Sequence, residues 1–289
     1  MVKNKHYLVY DENIKNPKKI ALFADIHYSN TFKEKKFKLI KDNLLCNKPD
    51  YICVPGDIID STNVLDCYDN QEKFLNFFEE VGKIAPTFIS LGSHDFSRLD
   101  SNGWTCNYNK KWFHELNNLD NVHLLHNSKF DCGDITFTGY TANYEYYYND
   151  TKEESSKLLI DSLNNNTINQ DDDKCNILLF HSPIRIMDKS ILKLEALKNI
   201  RLILAGHMHN GMIPPIIDEL IDNDKGLIAP NKSLFPDNSR GKVTKFVDDK
   251  IIDMVISSGI TKLAECSPSV LHPFNEVYPM GIEYIKIKK

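Results

Sequence analysis

Apolar residues in this chain fall into short, dense runs separated by longer stretches with helical spacing. Ile20–Ala24, Tyr51–Val54 and Thr87–Leu91 are mainly apolar runs of strand length, the pattern of strands covered on both faces. Between them, Thr31–Leu45 spaces Phe32, Phe37, Ile40 and Leu44 among lysines, and Glu72–Val81 carries Phe74, Leu75, Phe77, Phe78 and Val81. Both spacings predict amphipathic helices. Strand, helix, strand, helix, strand implies βαβ crossovers and a largely parallel sheet, so the fold class is α/β. His6–Tyr10, Val122–Leu125, Ile135–Tyr140, Asn176–Phe180, Leu202–Ala205, Ile251–Ile256 and Gly281–Lys288 read as further strands, with helices over Trp112–Leu119 and Lys189–Asn199. Asn164–Lys174 reads as an exposed loop, and Ile213–Pro236 is rich in proline and loop-like. No repeat and no long linker interrupts the pattern, which predicts one domain over residues 1–289.

The polar residues that follow these runs are not a random selection. Asp25 and His27 follow the first, Asp57 and Asp60 the second, and Ser93, His94 and Asp95 the third. His181 follows the Asn176–Phe180 run, and Gly206 separates Leu202–Ala205 from His207 and His209. Ligands of parallel sheets sit at the carboxyl ends of the strands, so these loops are expected to converge. If the backbone stays extended past Gly206, His207 and His209 point to the same side and reach one metal ion or two adjacent ones. A polar loop after a strand explains any one of these pieces equally well. At the strand ends stand two carboxylates (Asp25, Asp57) and four imidazoles (His27, His181, His207, His209), with Asp60, Ser93, His94 and Asp95 close by. That donor set suits Mn²⁺, Fe²⁺ or Zn²⁺ and is too rich in nitrogen for a Ca²⁺ or Mg²⁺ cage.

Composition narrows the function classes. A formal net charge of −5 and a pI near 6.1 argue against a surface built for a nucleic-acid backbone. The seven cysteines (Cys46, Cys53, Cys67, Cys106, Cys132, Cys175, Cys266) include no Cys-x-x-Cys pair, so neither a disulfide framework nor a zinc ribbon is suggested. The first residues lack an apolar run of signal-peptide length, and no window approaches ~18 consecutive apolar residues. A cytoplasmic protein without an integral membrane segment is the expectation.

Asp25-x-His27, Gly56-Asp57-x-x-Asp60, Gly92-Ser93-His94-Asp95, His181 and Gly206-His207-x-His209 together resemble the calcineurin-like metallophosphoesterase superfamily, over roughly residues 20 to 210. The resemblance implies two stacked mixed β-sheets flanked by helices, with two divalent metal ions at the strand ends. By position, it places Asp25, His27 and His209 on one ion, His181 and His207 on the other, and Asp57 between them. It places His94 beside the scissile phosphate, oriented by Asp60. A cation pair about 3.5–4 Å apart lowers the pKa of a bridging water and holds phosphate oxygens for in-line attack. A protonated histidine can then donate to the departing oxygen. The implied activity is metal-dependent hydrolysis of a phosphodiester, or else of a phosphomonoester.

One position departs from the pattern. The superfamily usually has Asn where this chain has Ser93, and the shorter hydroxyl is a poorer ligand, so Ser93 is expected to contact the second ion weakly or through water. Asp60 is followed by Ser61-Thr62 rather than the Arg-Gly of the protein Ser/Thr phosphatases. Gly211, Pro214, Gly226-Leu227, Pro230, Phe235-Pro236 and Gly241 are similar to the outline of bacterial UDP-2,3-diacylglucosamine hydrolases, with Met212 where Gln is common. The expected partner is a small phosphorylated substrate rather than nucleic acid, and peripheral membrane contact stays open. A catalytically weak scaffold protein and a nuclease are the alternatives. Two further groups are noted: the aromatic cluster Tyr144–Tyr148, read as packing ahead of substrate stacking, and His272, Asn275 and Glu276, read as structural.

Overall fold

The structure is a computed structural model that describes residues 1–100, 103–106, 110–147, 151–166, 168, 170–218, 220–221, 224–230, 233–264 and 273–289. In chain order the strands begin with β1 (Val2–Tyr10), β2 (Lys18–Leu22), β3 (Tyr51–Pro55), β4 (Thr87–Ser90), β5 (Ser97–Asp100), β6 (Gly103–Cys106) and β7 (Val122–Leu124). They continue with β8 (Ser128–Cys132), β9 (Ile135–Tyr140), β10 (Cys175–Phe180), β11 (Ile200–Ala205), β12 (Gly241–Val247), β13 (Lys250–Ile256) and β14 (Met280–Lys288). The helices are α1 (Lys35–Asn47), α2 (Tyr68–Ile84), α3 (Lys110–Asn117), α4 (Tyr144–Tyr147), α5 (Lys152–Asn165), α6 (Lys189–Leu192) and α7 (Phe274–Val277).

Twelve of the strands build not one sheet but two. The first has the order β1-β14-β2-β3-β4-β7, the second β12-β13-β11-β10-β9-β8, and each has six strands. Both are mixed: β14 runs antiparallel to β2, and β8 and β12 run antiparallel to their neighbours, while the central pairs are parallel. The dense apolar runs require this stacking, because each strand must bury both faces. Ile20, Leu22 and Cys53 face Ile177, Leu179, Leu202 and Leu204 in a core between the sheets. Ala21, Phe23, Ile52 and Val54 point the other way, into a core with Phe37, Ile40, Leu44, Phe74, Phe77 and Phe78 of α1 and α2. Leu178, Phe180, Ile203 and Ala205 meet Leu159 and Leu163 of α5 and Ile191 of α6 on the far side of the second sheet. Phe88 of β4 stacks on Phe137 of β9 with ring centroids 4.1 Å apart, one of the contacts that join the sheets. Truncating such a buried ring costs ~3–5 kcal/mol.

Several expectations need correction. The helix expected over Thr31–Leu45 begins at Lys35, because Ser29–Lys33 forms turns (Phe32 N–H to Ser29 C=O, 3.1 Å) that bring Phe32 back onto Tyr28 and Phe37. The helix expected over Lys189–Asn199 is interrupted at Leu194, which is extended (φ −65°, ψ 146°). The break lets Ile191, Leu192, Ala196 and Leu197 all enter one core. Asn164–Lys174 is a loop only beyond Asn165, the end of α5. The sequence pattern passed over the β5–β6 hairpin and also α5, β8 and β12, which bury one face or none and so lack a dense apolar run. No helix among the described residues is long and apolar enough to cross a membrane.

Candidate metal centre

The carboxyl ends of β2, β3, β4, β10 and β11 lie on one side of the sandwich, and the loops leaving them are zipped together. Asp25 N–H bonds to Gly56 C=O (3.2 Å), His27 N–H to Asp57 C=O (3.0 Å) and Tyr28 N–H to Ile58 C=O (3.1 Å). Gly206 N–H bonds to His181 C=O (2.9 Å), and Thr261 N–H, from the loop after β13, to Asp25 C=O (2.9 Å). The side chains reach one centre because the chain turns sharply at each. Asp25, His27, Asp57, His207 and His209 all have positive φ (54°, 46°, 51°, 71° and 47°), a region Asp and His tolerate better than most residues. His207 and His209 therefore converge through left-handed turns, not through the extended backbone expected from their spacing. Gly206 is required between them and β11: a Cβ there would sit 2.6 Å from Ala24 Cβ and 3.0 Å from Asp25 Oδ2.

Three sets of ligand-type atoms result: Asp25, His27 and His209; Asp57, His181 and His207; and His27, Asp57 and His94, each within 4.8 Å. Asp57 sits between the first two. Its Oδ2 is 3.0 Å from His181 Nε2 and 3.8 Å from His27 Nε2, while Asp25 Oδ1 is 3.8 Å from His209 Nε2. His207 Nδ1 lies 3.2 Å from His181 Nε2. The donors are oriented from behind. His181 Nδ1–H donates to Pro55 C=O (2.8 Å) and His209 Nδ1–H to Thr261 C=O (2.8 Å), which fixes the tautomers and leaves each Nε2 lone pair facing the centre. Neither ring nitrogen of the buried His27 makes a hydrogen bond. Among the described residues, neither Asp25 nor Asp57 pairs with Lys or Arg, although both are buried. Two buried carboxylates with no Lys or Arg partner among the described residues, beside a buried His27 whose ring nitrogens make no hydrogen bond, are an arrangement that a divalent metal ion resolves. The residues fit the group.

Protonation in the metal-free chain follows the same geometry. Burial pulls His181 down, but the Asp57 carboxylate more than offsets it and brings it up to about 9. Burial also opposes charge on His27, and Asp60, Asp57 and Asp25 raise it. Burial holds His209 down at about 4, and burial together with His181 keeps His207 well below its ordinary value. Burial works against an ionised Asp57, yet His181, His94 and His27 hold it well below the usual carboxylate range. The two histidines of Gly206-His207-x-His209 are thus neutral, the form that binds metal.

His94 lies at the open side, its ring edge-on to His27 at 4.6 Å. Its backbone N–H donates to Asp57 Oδ1 (2.8 Å), and its Nδ1–H donates to the backbone carbonyl of Asp60 (2.6 Å). Asp60 therefore contacts His94 through the main chain, while Asp60 Oδ1 lies 3.4 Å from His27 Nδ1. Ser93 is buried in the same loop, and its carbonyl accepts from Ser97 Oγ.

The sequence pattern includes Asp95 without its role and passes over Thr261. Asp95, fully buried, accepts four backbone N–H groups: Asp57 (2.8 Å) and Gly92 (2.7 Å) on Oδ2, Ile58 (2.9 Å) and Ile59 (3.1 Å) on Oδ1. Burial and the nearby Asp57 charge push Asp95 up to about 7, against those donors and His181. Thr261 holds Asp25 and His209 through its backbone and donates Oγ1–H to Ile26 C=O (2.7 Å). The signal available for Thr261 was its place just past the Ile251–Ile256 run, a further strand end like the others. The aromatic cluster divides: Tyr146 is core, Tyr144 and Tyr147 pack on Phe96, and Tyr147 also reaches the rings of His181 and His207 (6.0 and 6.1 Å). Tyr148 and His272 lie outside the described residues. Asn275 clasps the backbone of Lys262 and Leu263, and Glu276 pairs with Lys33 and Lys35.

This fold, with buried Asp and His side chains gathered where parallel strands end, defines a metal-binding hydrolase architecture. The calcineurin-like phosphoesterase family matches residues 18–211, and the chain belongs to that family. It is 26% identical over 212 residues to an uncharacterized metallophosphoesterase of Campylobacter jejuni, covering 71% of this chain and 47% of that protein. It is 28% identical over 109 residues to the DNA polymerase II small subunit of Thermoplasma acidophilum, covering 32% of this chain and 22% of that one. The chain thus matches about half or less of the length of these curated relatives. Among solved structures it is similar to a dimetal phosphatase from Danio rerio (12% identity, 84% and 87% of the two chains, TM-score 0.44). It is also similar to the phosphopantetheinyl hydrolase of Mycobacterium tuberculosis (11% identity, 86% and 93%, TM-score 0.44).

Proposed function

We propose that the protein is a two-metal phosphoesterase that hydrolyses a small phosphodiester or phosphomonoester, with residues 1–289 acting as one catalytic unit. The observation that carries this reading is Asp57, a buried carboxylate placed between the Asp25/His27/His209 set and the His181/His207 pair. A carboxylate with one oxygen near donors of both sets can bridge two ions and fix their separation. When bound, such ions polarise the phosphate and supply a nucleophile at neutral pH.

The chain's own residues supply the rest. Asp25, His27 and His209 would hold one ion; His181 and His207 would hold the other, with Asp57 shared. The backbone bonds from His181 and His209 to Pro55 and Thr261 keep their Nε2 atoms aimed without reorganisation. His94, with Nδ1–H fixed on the Asp60 carbonyl, stands beside His27 and Asp57 at the centre. In its imidazolium form it donates a proton to the departing ester oxygen, contributing on the order of 10²–10⁴-fold. Ser93 would contact the second ion weakly or through water.

The test is hydrolysis of p-nitrophenyl phosphate and bis-p-nitrophenyl phosphate by metal-stripped protein, with and without added Mn²⁺, and with Asp57→Asn as control. Activity restored by metal and lost in Asp57→Asn is the expected result, and the ratio of the two rates separates diesterase from monoesterase. Absence of activity with Mn²⁺, Fe²⁺ and Zn²⁺, alongside undiminished folding, would transfer the assignment to a binding protein.

A further inference from the structure

Beside the candidate metal centre opens a cavity of about 360 Å³ whose head is formed by His27 and Thr261. It continues the centre directly, since His27 belongs to two of the three ligand sets and Thr261 holds His209. Its lining includes Ser29 and Thr31, whose hydroxyls lie 3.2 Å apart, the apolar Phe32 and Leu263, and the charged Lys33 and Glu276.

Lys36 is the residue that the hydrolytic reading leaves unexplained. It lines this cavity, yet only 8% of its surface is exposed. Its ammonium sits 5.4 Å from the Phe32 ring centroid, an attraction of ~0.5–2 kcal/mol, and no carboxylate among the described residues lies within 4 Å of it. The two neighbouring lysines are different: Lys33 pairs with Glu276 Oε1 (3.0 Å) and Lys35 with Glu276 Oε2 (3.3 Å). Glu276 is thereby neutralised by partners other than Lys36. Burial lowers the Lys36 pKa, with the more distant Glu276 charge working the other way, so the residue carries a desolvation cost that its surroundings do not repay. Lysines are almost never this buried without a paired charge. An aromatic ring 5.4 Å from the ammonium and two hydroxyls in the same lining make a place for an anion that none of the described residues provides within 4 Å of Lys36.

We propose that this cavity binds a second anionic group of the substrate on Lys36, so that preferred substrates are phosphate esters carrying a further phosphate or carboxylate beyond the alcohol carbon. The proposal rests on the phosphoesterase reading for its orientation: the scissile phosphate lies at the His27 end, the linking carbons run along Phe32 and Leu263, and the distal anion meets the ammonium. Phosphate and carboxylate share this chemistry, and the substrates below separate them.

The experiment compares kcat/KM of the Mn²⁺-loaded protein for ω-hydroxyalkyl phosphates, ω-carboxyalkyl phosphates and alkanediol bisphosphates, each with roughly four to eight carbons. A charge-assisted contact gives about tenfold or more. The expected result is such a preference for an anionic end over the hydroxyl of equal length, at one length or a narrow range of lengths. The preference falls to within about twofold in Lys36→Gln, is retained in part in Lys36→Arg and is retained fully in Lys35→Gln. The bisphosphate and carboxylate series show which anion is preferred. A second readout needs no metal: calorimetric binding of hexanediyl bisphosphonate to the EDTA-treated protein, weakened in Lys36→Gln. Turnover of the hydroxyalkyl phosphates without anion preference at any length overturns the proposal, as does a preference that survives Lys36→Gln. If no phosphate ester is hydrolysed, the phosphoesterase reading fails instead, and the bisphosphonate titration alone decides the cavity: equal binding by wild type and Lys36→Gln, or none, refutes it.

Discussion

Asp95 sits one residue past His94 and touches no candidate metal ligand's side chain by hydrogen bond, yet it is the most heavily used acceptor near the centre. Each of its oxygens receives two backbone N–H groups at 2.7–3.1 Å. At pH 8, above the value of about 7 at which Asp95 ionises, Asp95→Asn keeps the shape but has a single carbonyl oxygen and sets an NH₂ against the other two donors. Two buried N–H groups are left unpaired, at ~1–3 kcal/mol each, so the expected loss is about 2–6 kcal/mol out of a typical ~5–15 kcal/mol. At ~2.1 cal/mol/K per residue, 289 residues give an unfolding entropy of ~0.6 kcal/mol/K, which converts the loss to a Tm decrease of about 3–10 °C. Because the donors include Asp57 and its two successors, the same change loosens the Asp57 carboxylate. Thermal unfolding followed by circular dichroism, with metal content measured on the same samples, reads both effects. An Asp95→Asn protein that melts within about 1 °C of wild type and keeps its metal would refute the idea that this carboxylate braces the loop.

Removing metal with EDTA should lower Tm by about 4–5 °C per ion held at 100 times its Kd, from ~2.7 kcal/mol of linkage, and Mn²⁺ should restore it. Metal analysis should find about one ion fewer in His207→Ala, and a larger loss in Asp57→Asn, since only Asp57 lies between both sets; equal stoichiometry in the two variants would contradict that placement. Ser93→Asn adds an amide oxygen where a hydroxyl stands and should tighten the weaker ion by about tenfold in a chelator competition, with unchanged affinity counting against Ser93 as the cause of weak binding. Lys262, buried with its ammonium on Ser258 C=O and Gly259 C=O, is lowered by burial from 10.5 to about 8. Below pH 8 both folded and unfolded chains hold the proton and the burial cost is fully present. Between pH 8 and 10.5 the unfolded chain binds more protons at this site, so its contribution to stability rises with pH, by at most about 3 kcal/mol. Burial raises Cys53, Cys132 and Cys175, which titrate in the same range with the opposite sign, so urea titrations should show the Lys262 contribution as a rise in the stability of wild type relative to Lys262→Met from pH 8 to 10.5.

The ligand set was legible because every member follows a dense apolar run, and Asp25, His27, Asp57, His181, His207 and His209 indeed meet where those runs end. How they meet was not legible. Period-two reasoning aims His207 and His209 to one side, whereas five ligand positions turn through positive φ, and it is Gly206 that makes room for the turn. Orientation by main-chain carbonyls leaves no trace in residue type: nothing about Pro55 or Thr261 as letters announces a histidine on the carbonyl. Asp95 was visible as a residue but not as a brace, because its partners are backbone amides. In the fold, strands buried on both faces were found, while β12, which alternates buried and exposed positions beside lysines, and α5, whose buried face mixes Ser155 and Ser162 with Leu159 and Leu163, were passed over. The break in the Lys189–Asn199 helix depends on two core contacts that only the packed second sheet supplies.

The pairing of β1 with β14 sets where anything attached to this chain must go. The two strands run parallel in register from Val2↔Met280 to Tyr10↔Lys288, and β14 runs antiparallel to β2 with Glu283 opposite Leu22. Met1 therefore lies on the rim from which Asp25 and His27 emerge, and Lys289 on the opposite rim. Nine residues of strand at about 3.3 Å each put the two ends roughly 30 Å apart. A tag or partner domain joined before Met1 enters beside the mouth of the centre and can obstruct it, whereas one joined after Lys289 leaves from the far edge. For immobilising the protein on a surface with its reactive side free, the carboxyl end is the handle to use.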